Sequence, residues 1–281
     1  MKIIDAHMHF SKIDAFHQAA IDSGVDYSLK GYLQEAADSG IAASVCMGLI
    51  EMGVGAFPDL RAPAAMHSDL DNPPENMYIC LGINPHSLDD NRIRQIEQLI
   101  VRKKNMVGFK IYAGYYHFNI CDPVYIPIYK IADRYNLPVA IHTGDVYSED
   151  ALLEYSHPLA ADRLAVAFRD VNFILCHMGD PWIMDACEVA YKNSNVWVDI
   201  SGLLAGDEEL ISQTESRAAV MQHYTCGLVY LNNYKKVLFG TDWPLVPMAR
   251  YIEFCKKIIP GDFHEDVFCN NAALLFPSIA V

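Results

Sequence analysis

Basic residues are scarce in this sequence, and long apolar runs are missing. The 281 residues include 21 lysines and arginines against 35 aspartates and glutamates, a formal net charge of −14. Proteins that bind nucleic acids normally carry a basic surface patch, so this balance argues against that class. The same negative net charge also argues against attraction to an anionic membrane surface. No stretch reaches about 18 uncharged apolar residues, and the sequence therefore predicts no membrane-spanning helix.

Two further absences concern the cysteines and the amino terminus. None of the eight cysteines forms a CxxC pair, the spacing typical of metal clips and redox pairs. The opening residues, MKIIDAHMHF, contain no apolar segment of a signal peptide. We therefore expect a cytoplasmic location with reduced, mostly buried thiols, because disulfides persist mainly in oxidising compartments.

Short apolar runs recur along the chain. They are nearly continuous in hydrophobicity, as parallel strands buried on both faces are. The eight predicted strands cover residues 2–9, 42–49, 77–84, 106–112, 138–143, 172–178, 196–201 and 236–241. Their starts lie 24 to 40 residues apart, which is the interval of a repeated strand–helix unit.

Amphipathic patterns between these runs predict helices. Residues 89–102, for example, place Ile93, Ile96 and Leu99 on one face. Further helices are predicted over residues 122–135, 158–169, 182–192 and 262–276. The longest segment that we leave unassigned is residues 50–76, which are rich in glycine and proline.

The alternation of eight strands with helices predicts an α/β protein, a closed (β/α)₈ TIM barrel in which residues 1–281 form one domain. An open, doubly wound sheet is the alternative. That fold would require a glycine-rich fingerprint after the first strand. This chain has His-Met-His-Phe at that place instead, which favours the barrel.

His7 and His9 end the first predicted strand. Residues two apart in a strand point to the same side, so both imidazoles should project into the barrel mouth. Neutral imidazoles that converge on one point are metal ligands. An isolated HxH pair is equally compatible with two ordinary polar residues, and the other strand ends decide between these interpretations.

Three of those ends also carry candidate ligands. His142 ends the fifth predicted strand, His177 the sixth, and Asp242 follows the eighth. All carboxyl ends of a parallel barrel meet on one face, the face of barrel active sites. A single such residue is easily explained by hydrogen bonding, but four histidines and an aspartate on one face predict a metal site.

Lys110 lies in the apolar fourth strand, where burial of an ammonium group is costly. Two interpretations stay open. The lysine pairs with a barrel carboxylate such as Asp199 or Asp242, or it is a neutral or modified lysine at the metal site.

Other residues near the predicted mouth have open roles. His86 follows the third strand and Tyr112 the fourth, and both are candidate substrate contacts as well as candidates for plain packing. Asp199 and Ser201 end the seventh strand, where they could orient the histidines by hydrogen bonds.

Taken together, these motifs resemble the amidohydrolase superfamily and, within it, the amidohydrolase-related (amidohydrolase 2) branch. The motifs are His-x-His after strand one, Gly-Phe-Lys at strand four, His-Thr-Gly at five, Cys-His-Met-Gly at six and Gly-Thr-Asp-Trp-Pro at eight. They occur in the expected order from His7 to Asp242. The branch includes both lactone hydrolases and decarboxylases of unsaturated acids.

The resemblance implies a metal site. The ligands of a single divalent ion, most often zinc, match His7, His9, His142 and Asp242. His177 matches a further histidine that binds a second ion or acts on the substrate. Lys110 matches the lysine that is carboxylated and bridges in two-metal members, so a second ion depends on that modification.

The function we expect is hydrolysis of a small ester, lactone or amide, one that bears a carboxylate, by a metal-activated water. Asp242 would act as general base, and His177 would polarise the substrate. Arg61 and Arg250 are candidate partners for the carboxylate, with solvated surface as the other interpretation. The alternative function is a nonoxidative decarboxylase similar to aminocarboxymuconate-semialdehyde decarboxylase. The expected partner is a small-molecule substrate, without nucleic acid or membrane, and a homo-oligomer is left open.

Overall fold

The structure, a computed structural model, describes residues 1–10, 14–48 and 73–279. The unassigned segment 50–76 therefore lies almost wholly outside the described residues, and Arg61 lies within its undescribed part. The prediction that residues 1–281 form a single domain stays a prediction.

Eight parallel strands follow one another in chain order around a single sheet. They are β1 (Ile3–Met8), β2 (Ile41–Met47), β3 (Met77–Ile83), β4 (Met106–Ile111), β5 (Val139–Ile141), β6 (Phe173–Leu175), β7 (Val196–Asp199) and β8 (Val237–Leu238). Backbone hydrogen bonds join β1 to the residues after β8: Asp242 N donates to His7 O at 2.8 Å, and His9 N donates to Trp243 O at 2.7 Å. These contacts bring the first and last strands together, and the predicted α/β barrel is confirmed.

Helices connect the strands. They are α1 (Asp14–Ser23), α2 (Leu29–Ser39), α3 (Asp90–Arg102), α4 (Ile126–Tyr135), α5 (Leu153–Ser156), α6 (Ala160–Ala167), α7 (Ile183–Lys192), α8 (Glu208–Glu215), α9 (Ala218–Leu231), α10 (Met248–Ile258) and α11 (Asn271–Leu275). Asp89 caps α3 by accepting the Arg92 backbone N–H at 2.7 Å, as an aspartate N-cap does. Within the described ranges, none of the helices combines the length and apolarity that a membrane crossing needs.

All eight strands are shorter than predicted, and left-handed backbone conformations follow two of them. The predicted strand 172–178 stops at Leu175, because His177 (φ 60°) and Met178 (φ 48°) adopt left-handed backbone conformations. The last strand is followed by Asp242, which also has φ 60°. Non-glycine residues rarely adopt this conformation, and those that do concentrate at functional sites. Here the turns redirect two candidate site residues at the barrel mouth.

The apolar core has two main parts. One buried cluster includes a residue from every strand and therefore fills the barrel interior: Ile4, Val45, Cys80, Val107, Ala140, Ile174, Trp197 and Leu238. Leu275 of α11 and the following Phe276 pack with this cluster. The larger cluster lies between strands and helices and includes Phe109, Tyr129 and Phe254. Burial of both faces explains why the strands read as continuous apolar runs.

Candidate active site

His7 is fully buried, and a network that starts at β7 fixes its ring. Its Nδ1 lies 2.9 Å from Asp199 Oδ2. The other oxygen, Oδ1, accepts the backbone N–H of His177 at 2.9 Å and the hydroxyl of Ser201. Because Asp199 is an acceptor, the neutral His7 ring carries its proton on Nδ1 and presents a lone pair at Nε2. The sequence-based role of Asp199 and Ser201 in orienting histidines fits this geometry.

Asp5 fastens β1 to the segment that carries Asp242. Its carboxylate accepts the Thr241 hydroxyl at 2.6 Å and the Thr241 backbone N–H at 3.0 Å. Burial raises the pKa of Asp5 to about 7, although the Thr241 hydrogen bonds oppose the shift. The neighbouring residue, Gly240, also lies close to β1, since an added Cβ there would be 2.7 Å from His7 Cβ. Strand one and the segment after β8 are thereby held in contact.

His9 and Asp242 complete a compact group with His7. Asp242 Oδ1 lies 3.0 Å from His9 Nε2 and 3.3 Å from His7 Nε2. The three side chains offer ligand atoms that all lie within 4.8 Å of one another. Among the described residues, Asp242 Oδ1 has no aligned hydrogen-bond donor although it is buried. Lone pairs from two imidazoles and a carboxylate thus point at a common place.

The rings of His142 and His177 continue the row of imidazoles. The His177 ring centroid lies 4.9 Å from that of His7 and 5.0 Å from that of His142. His142 Nε2 lies 2.8 Å from the carbonyl oxygen of Asp145, and His177 Nδ1 lies 3.0 Å from that of Ser201. A carbonyl only accepts, so the ring nitrogen that faces it carries a proton, and His142 Nδ1 and His177 Nε2 are left for other partners. Neither ring belongs to the compact group of ligand atoms.

Gly202 makes room for this arrangement. Its φ is +62°, and an added Cβ would lie 2.6 Å from Asp242 Oδ2 and 2.8 Å from His177 Nδ1. Any larger residue would therefore displace one of the two side chains.

The protonation states in this site are those that metal binding needs. Burial lowers the pKa of His7 to about 3. It also lowers the pKa of His9, and that of His142 well below its usual value. Burial opposes ionisation of Asp242, but His7 and the other nearby imidazoles hold its pKa well below the usual range. The imidazoles are therefore neutral and the carboxylate is ionised, which are the ligand forms of both groups.

Lys110 does not form either of the ion pairs considered from the sequence. Its Nζ donates to Cys176 Sγ at 3.0 Å and lies 3.5 Å from His7 Nε2. Among the described residues, no carboxylate oxygen comes within 4 Å of it. The ring of Tyr112 lies 5.3 Å from Nζ, which provides cation–π stabilisation. The lysine is thus adjacent to the site, and its carboxylation stays a prediction.

A cavity of about 540 Å³ opens beside the compact group, a volume that suits a small molecule. His9, His142, His177, Tyr112 and Asp242 all line it. The cavity therefore connects the ligand atoms to a space where a substrate can bind.

Of the other residues predicted to contact the substrate, one lies in the pocket wall and two lie outside the described lining. Tyr112 is in the pocket wall, but its hydroxyl is committed to the Met47 carbonyl at 3.0 Å. His86 is exposed, lies outside the described lining and packs its ring against Phe118 at 5.1 Å. Arg250 is likewise outside the described lining, because it pairs with Glu215 through Nη1 at 3.1 Å and through Nη2.

Sequence reasoning missed two acidic residues of the pocket wall, Asp145 and Asp180. Each lies three residues after a strand-end histidine, namely His142 and His177. The rule that barrel sites form at the carboxyl ends of strands could have identified them. The contact of Asp5 with Thr241 was also missed, since nothing in the local sequence pairs residues so far apart.

The described residues fit a divalent metal ion. Among the described residues, no aligned donor reaches the buried Asp242 Oδ1, and a buried anionic oxygen is costly unless a cation compensates it. A second group of possible ligands, His7, Cys176 and Asp199, is also present. Hydrogen bonds already satisfy that group, since Asp199 accepts from His7 and Cys176 from Lys110. The group of His7, His9 and Asp242 is therefore the better metal site.

Solved structures with the same architecture are similar over nearly their whole length. A TIM-barrel protein from Bordetella bronchiseptica has a TM-score of 0.74 at 19% identity, covering 99% of both chains. The 5-carboxyvanillate decarboxylase of Sphingomonas paucimobilis has a TM-score of 0.63 at 17% identity, covering 98% of this chain and 99% of that one. An amidohydrolase from Burkholderia multivorans with bound zinc has a TM-score of 0.64 at 12% identity, covering 99% of both. These identities support the fold alone.

Comparison with curated proteins gave no significant match. The model of the amidohydrolase 2 family, described as amidohydrolase, matches residues 4–277. This match covers all eight strands, apart from Ile3 at the start of β1, and every residue of the site described above. The chain therefore belongs to the amidohydrolase 2 family.

Proposed function

We propose that this chain is a metal-dependent hydrolase that cleaves a small ester, lactone or amide with water. The observation that supports this most directly is the convergence of His7, His9 and Asp242 ligand atoms beside the pocket. A divalent ion bound there supplies Lewis-acid chemistry, which acidifies a water molecule and polarises a carbonyl oxygen. We propose His7, His9 and Asp242 as its ligands, with His142 as a further ligand through Nδ1.

Zinc is the ion we propose, because imidazole and carboxylate ligands suit it and an open coordination position is typical of catalytic zinc. The similar amidohydrolase from Burkholderia multivorans contains bound zinc. A second ion would require carboxylation of Lys110, whose amine donates to Cys176 in the described arrangement.

Asp242 and His177 are the proposed catalytic residues. Asp242 lines the pocket, where its carboxylate can accept a proton from a water molecule. His177 Nδ1 is bound to the Ser201 carbonyl, and the opposite nitrogen, Nε2, is therefore the atom available to a substrate. A protonated His177 would donate from Nε2 to the oxygen on which negative charge develops.

The pocket lining favours hydrolysis over the alternative, decarboxylation. A decarboxylase substrate is an acid, and its carboxylate is best bound by arginine or lysine. No arginine or lysine occurs in the described lining, which instead includes Asp22, Asp145 and Asp180. We therefore leave the carboxylate that we expected on the substrate out of this proposal.

The decisive experiment measures metal and activity together. Purified protein should contain about one divalent ion per chain, and dialysis against a chelator should abolish ester or lactone hydrolysis until Zn²⁺ or Mn²⁺ is restored. His9→Ala should lose the metal, whereas His17→Ala, at an exposed position on α1, should keep it. Metal-free protein without recoverable hydrolysis would contradict the proposal. Release of carbon dioxide from unsaturated acids, without hydrolysis, would instead support a decarboxylase.

A further inference from the structure

The pocket has two chemically different walls. Its apolar wall includes Phe16, Ala19, Leu203, Leu204 and Leu245. Its other wall, which we name the acid–aromatic rim, consists of Tyr115, Asp145, Tyr147 and Asp180. Two loops, after β5 and after β6, supply both carboxylates of the rim.

Backbone contacts build this rim next to His142. The Asp145 N–H donates to the Asp180 carbonyl at 2.7 Å, which brings the two acidic residues together. The Tyr147 N–H donates to the Tyr115 hydroxyl at 2.8 Å. The Tyr115 ring in turn lies 5.0 Å from the His142 ring, edge to face. The two backbone segments that carry the carboxylates are therefore held together beside His142.

Among the described residues, no lysine or arginine neutralises the charge of the rim. No lysine or arginine occurs in the described lining. Asp180 Oδ1 lies 2.9 Å from His223 Nε2. Among the described residues, Asp145 has no ion pair. A cleft of one charge sign concentrates ions of the opposite sign, and aromatic faces add attraction for a cation.

The cavity is a ligand site independently of these acids. Two of its wall residues, His9 and Asp242, are more than nine-tenths buried. Asp242 Oδ1 belongs to the proposed metal site, but His9 Nδ1, the ring nitrogen that does not face Asp242, also has no hydrogen-bond partner among the described residues. Polar atoms of this kind are normally satisfied by something that binds.

We propose that the substrate carries a cationic group, such as a substituted ammonium, which binds at the acid–aromatic rim. Its uncharged, apolar part would pack on the wall that includes Phe16 and Leu203. This inference rests on the proposed hydrolase and names its substrate class. It replaces the substrate carboxylate expected from the sequence, which the rim would repel.

Three matched esters test the inference with the metal-loaded, full-length enzyme. They are acetylcholine, its uncharged isostere 3,3-dimethylbutyl acetate, and the anionic 3-acetoxypropanoate. The cationic ester should exceed the neutral one in kcat/KM by about fivefold, the upper end for pairing with a partly exposed carboxylate. The anionic ester should be the poorest of the three. A cationic preference below twofold, or any preference for the anionic ester, would overturn the proposal.

Variants assign the preference to the rim. Asp145→Asn and Asp180→Asn should each reduce the ratio of cationic to neutral turnover by at least half, and the double variant should remove it. Glu149→Gln is the matched control, because Glu149 is exposed in the same loop but outside the described lining. A preference that survives in the double variant would contradict the role of the rim.

Binding separates failure of this inference from failure of the proposed hydrolase. Failure to hydrolyse any ester, lactone or amide would contradict the hydrolase proposal, and titration calorimetry with choline, 3,3-dimethylbutan-1-ol and 3-hydroxypropanoate would still test the rim. Tightest binding of choline, weakened in Asp145→Asn, would uphold the cation site without hydrolysis. Equal binding of choline and its neutral isostere, or tighter binding of the anion, would overturn it.

Discussion

The two sides of the barrel mouth hold their histidines by different means. On the side of β1 and β8, His7 is fixed by the carboxylate of Asp199, and His9 lies against Asp242. On the side of β5 and β6, His142 and His177 are each fixed by a backbone carbonyl. The first side is the more deeply buried: His7 is 0% exposed, whereas the His177 side chain is 12% exposed.

This difference predicts that one side binds the metal ion and the other acts on the substrate. A buried carboxylate strengthens the basicity of the ring it holds and fixes its orientation, so the β1–β8 side is suited to anchor a metal ion. A carbonyl fixes the tautomer without a full charge, and the β5–β6 side faces the pocket. We therefore expect changes on the first side to affect metal affinity most, and changes on the second to affect turnover.

The largest expected effect contrasts His9→Ala with His142→Ala. Loss of one ligand from a site of typical zinc affinity costs several hundredfold in binding, and we expect this for His9→Ala. His142→Ala should weaken binding by no more than about tenfold, because His142 lies outside the compact group. Competition with a fluorescent zinc chelator measures both constants. Equal losses of zinc affinity in the two variants would contradict the proposed difference between the two sides.

His177→Asn tests the other side. Removal of the ring should lower kcat by about a hundredfold, the usual effect of losing one group that stabilises developing charge. Bound metal should stay near the wild-type level, as measured by atomic absorption. A variant that loses its metal would show that His177 is needed for metal binding.

Asp199→Asn should have a smaller effect, because the ligand itself is kept. Asparagine at this position can donate its amide to His7 Nδ1, which would favour the wrong tautomer. We expect metal affinity to fall by about 10- to 100-fold. Asp185→Asn, at an exposed position on α7, is the control and should bind metal normally. Unchanged affinity in Asp199→Asn would contradict the anchoring role of the carboxylate.

The smallest effect concerns stability on the β1–β8 side. Glu35 accepts hydrogen bonds from Trp243 Nε1 at 2.9 Å and from the Met248 N–H at 2.6 Å, and burial raises the pKa of its carboxyl. The unfolded chain ionises this group at lower pH than the folded protein does. Its contribution to the free energy of unfolding is therefore fully present below the unfolded pKa and is lost as pH rises through the folded pKa.

Glu35→Gln removes this dependence. The free energy of unfolding of wild type relative to the variant should fall as the pH rises from acidic to neutral. Urea unfolding at several pH values measures the difference. A difference that grows with pH would show that the sign of the shift is wrong.

Several features of the fold follow from local sequence. Burial on both faces of the strands requires continuous apolar runs, and their spacing predicted the barrel and its mouth. The apolar periodicity of residues 89–102 predicted α3 to within one residue, because it depends only on local spacing. The strand lengths could not be predicted from local sequence, because the left-handed turns at His177 and Asp242 depend on contacts made across the barrel.

The sequence by itself determined which chemistry-bearing residues stand at the strand ends, because parallel strands must bring those ends to one face. Only the tertiary structure decided how they are used. It separated the compact group of His7, His9 and Asp242 from His142, and it bound Lys110 to Cys176 instead of to a carboxylate. It also placed His86 outside the described pocket wall and Asp145 within it. The physical reason is that distances between side chains on different strands depend on register and backbone turns, which no local pattern encodes.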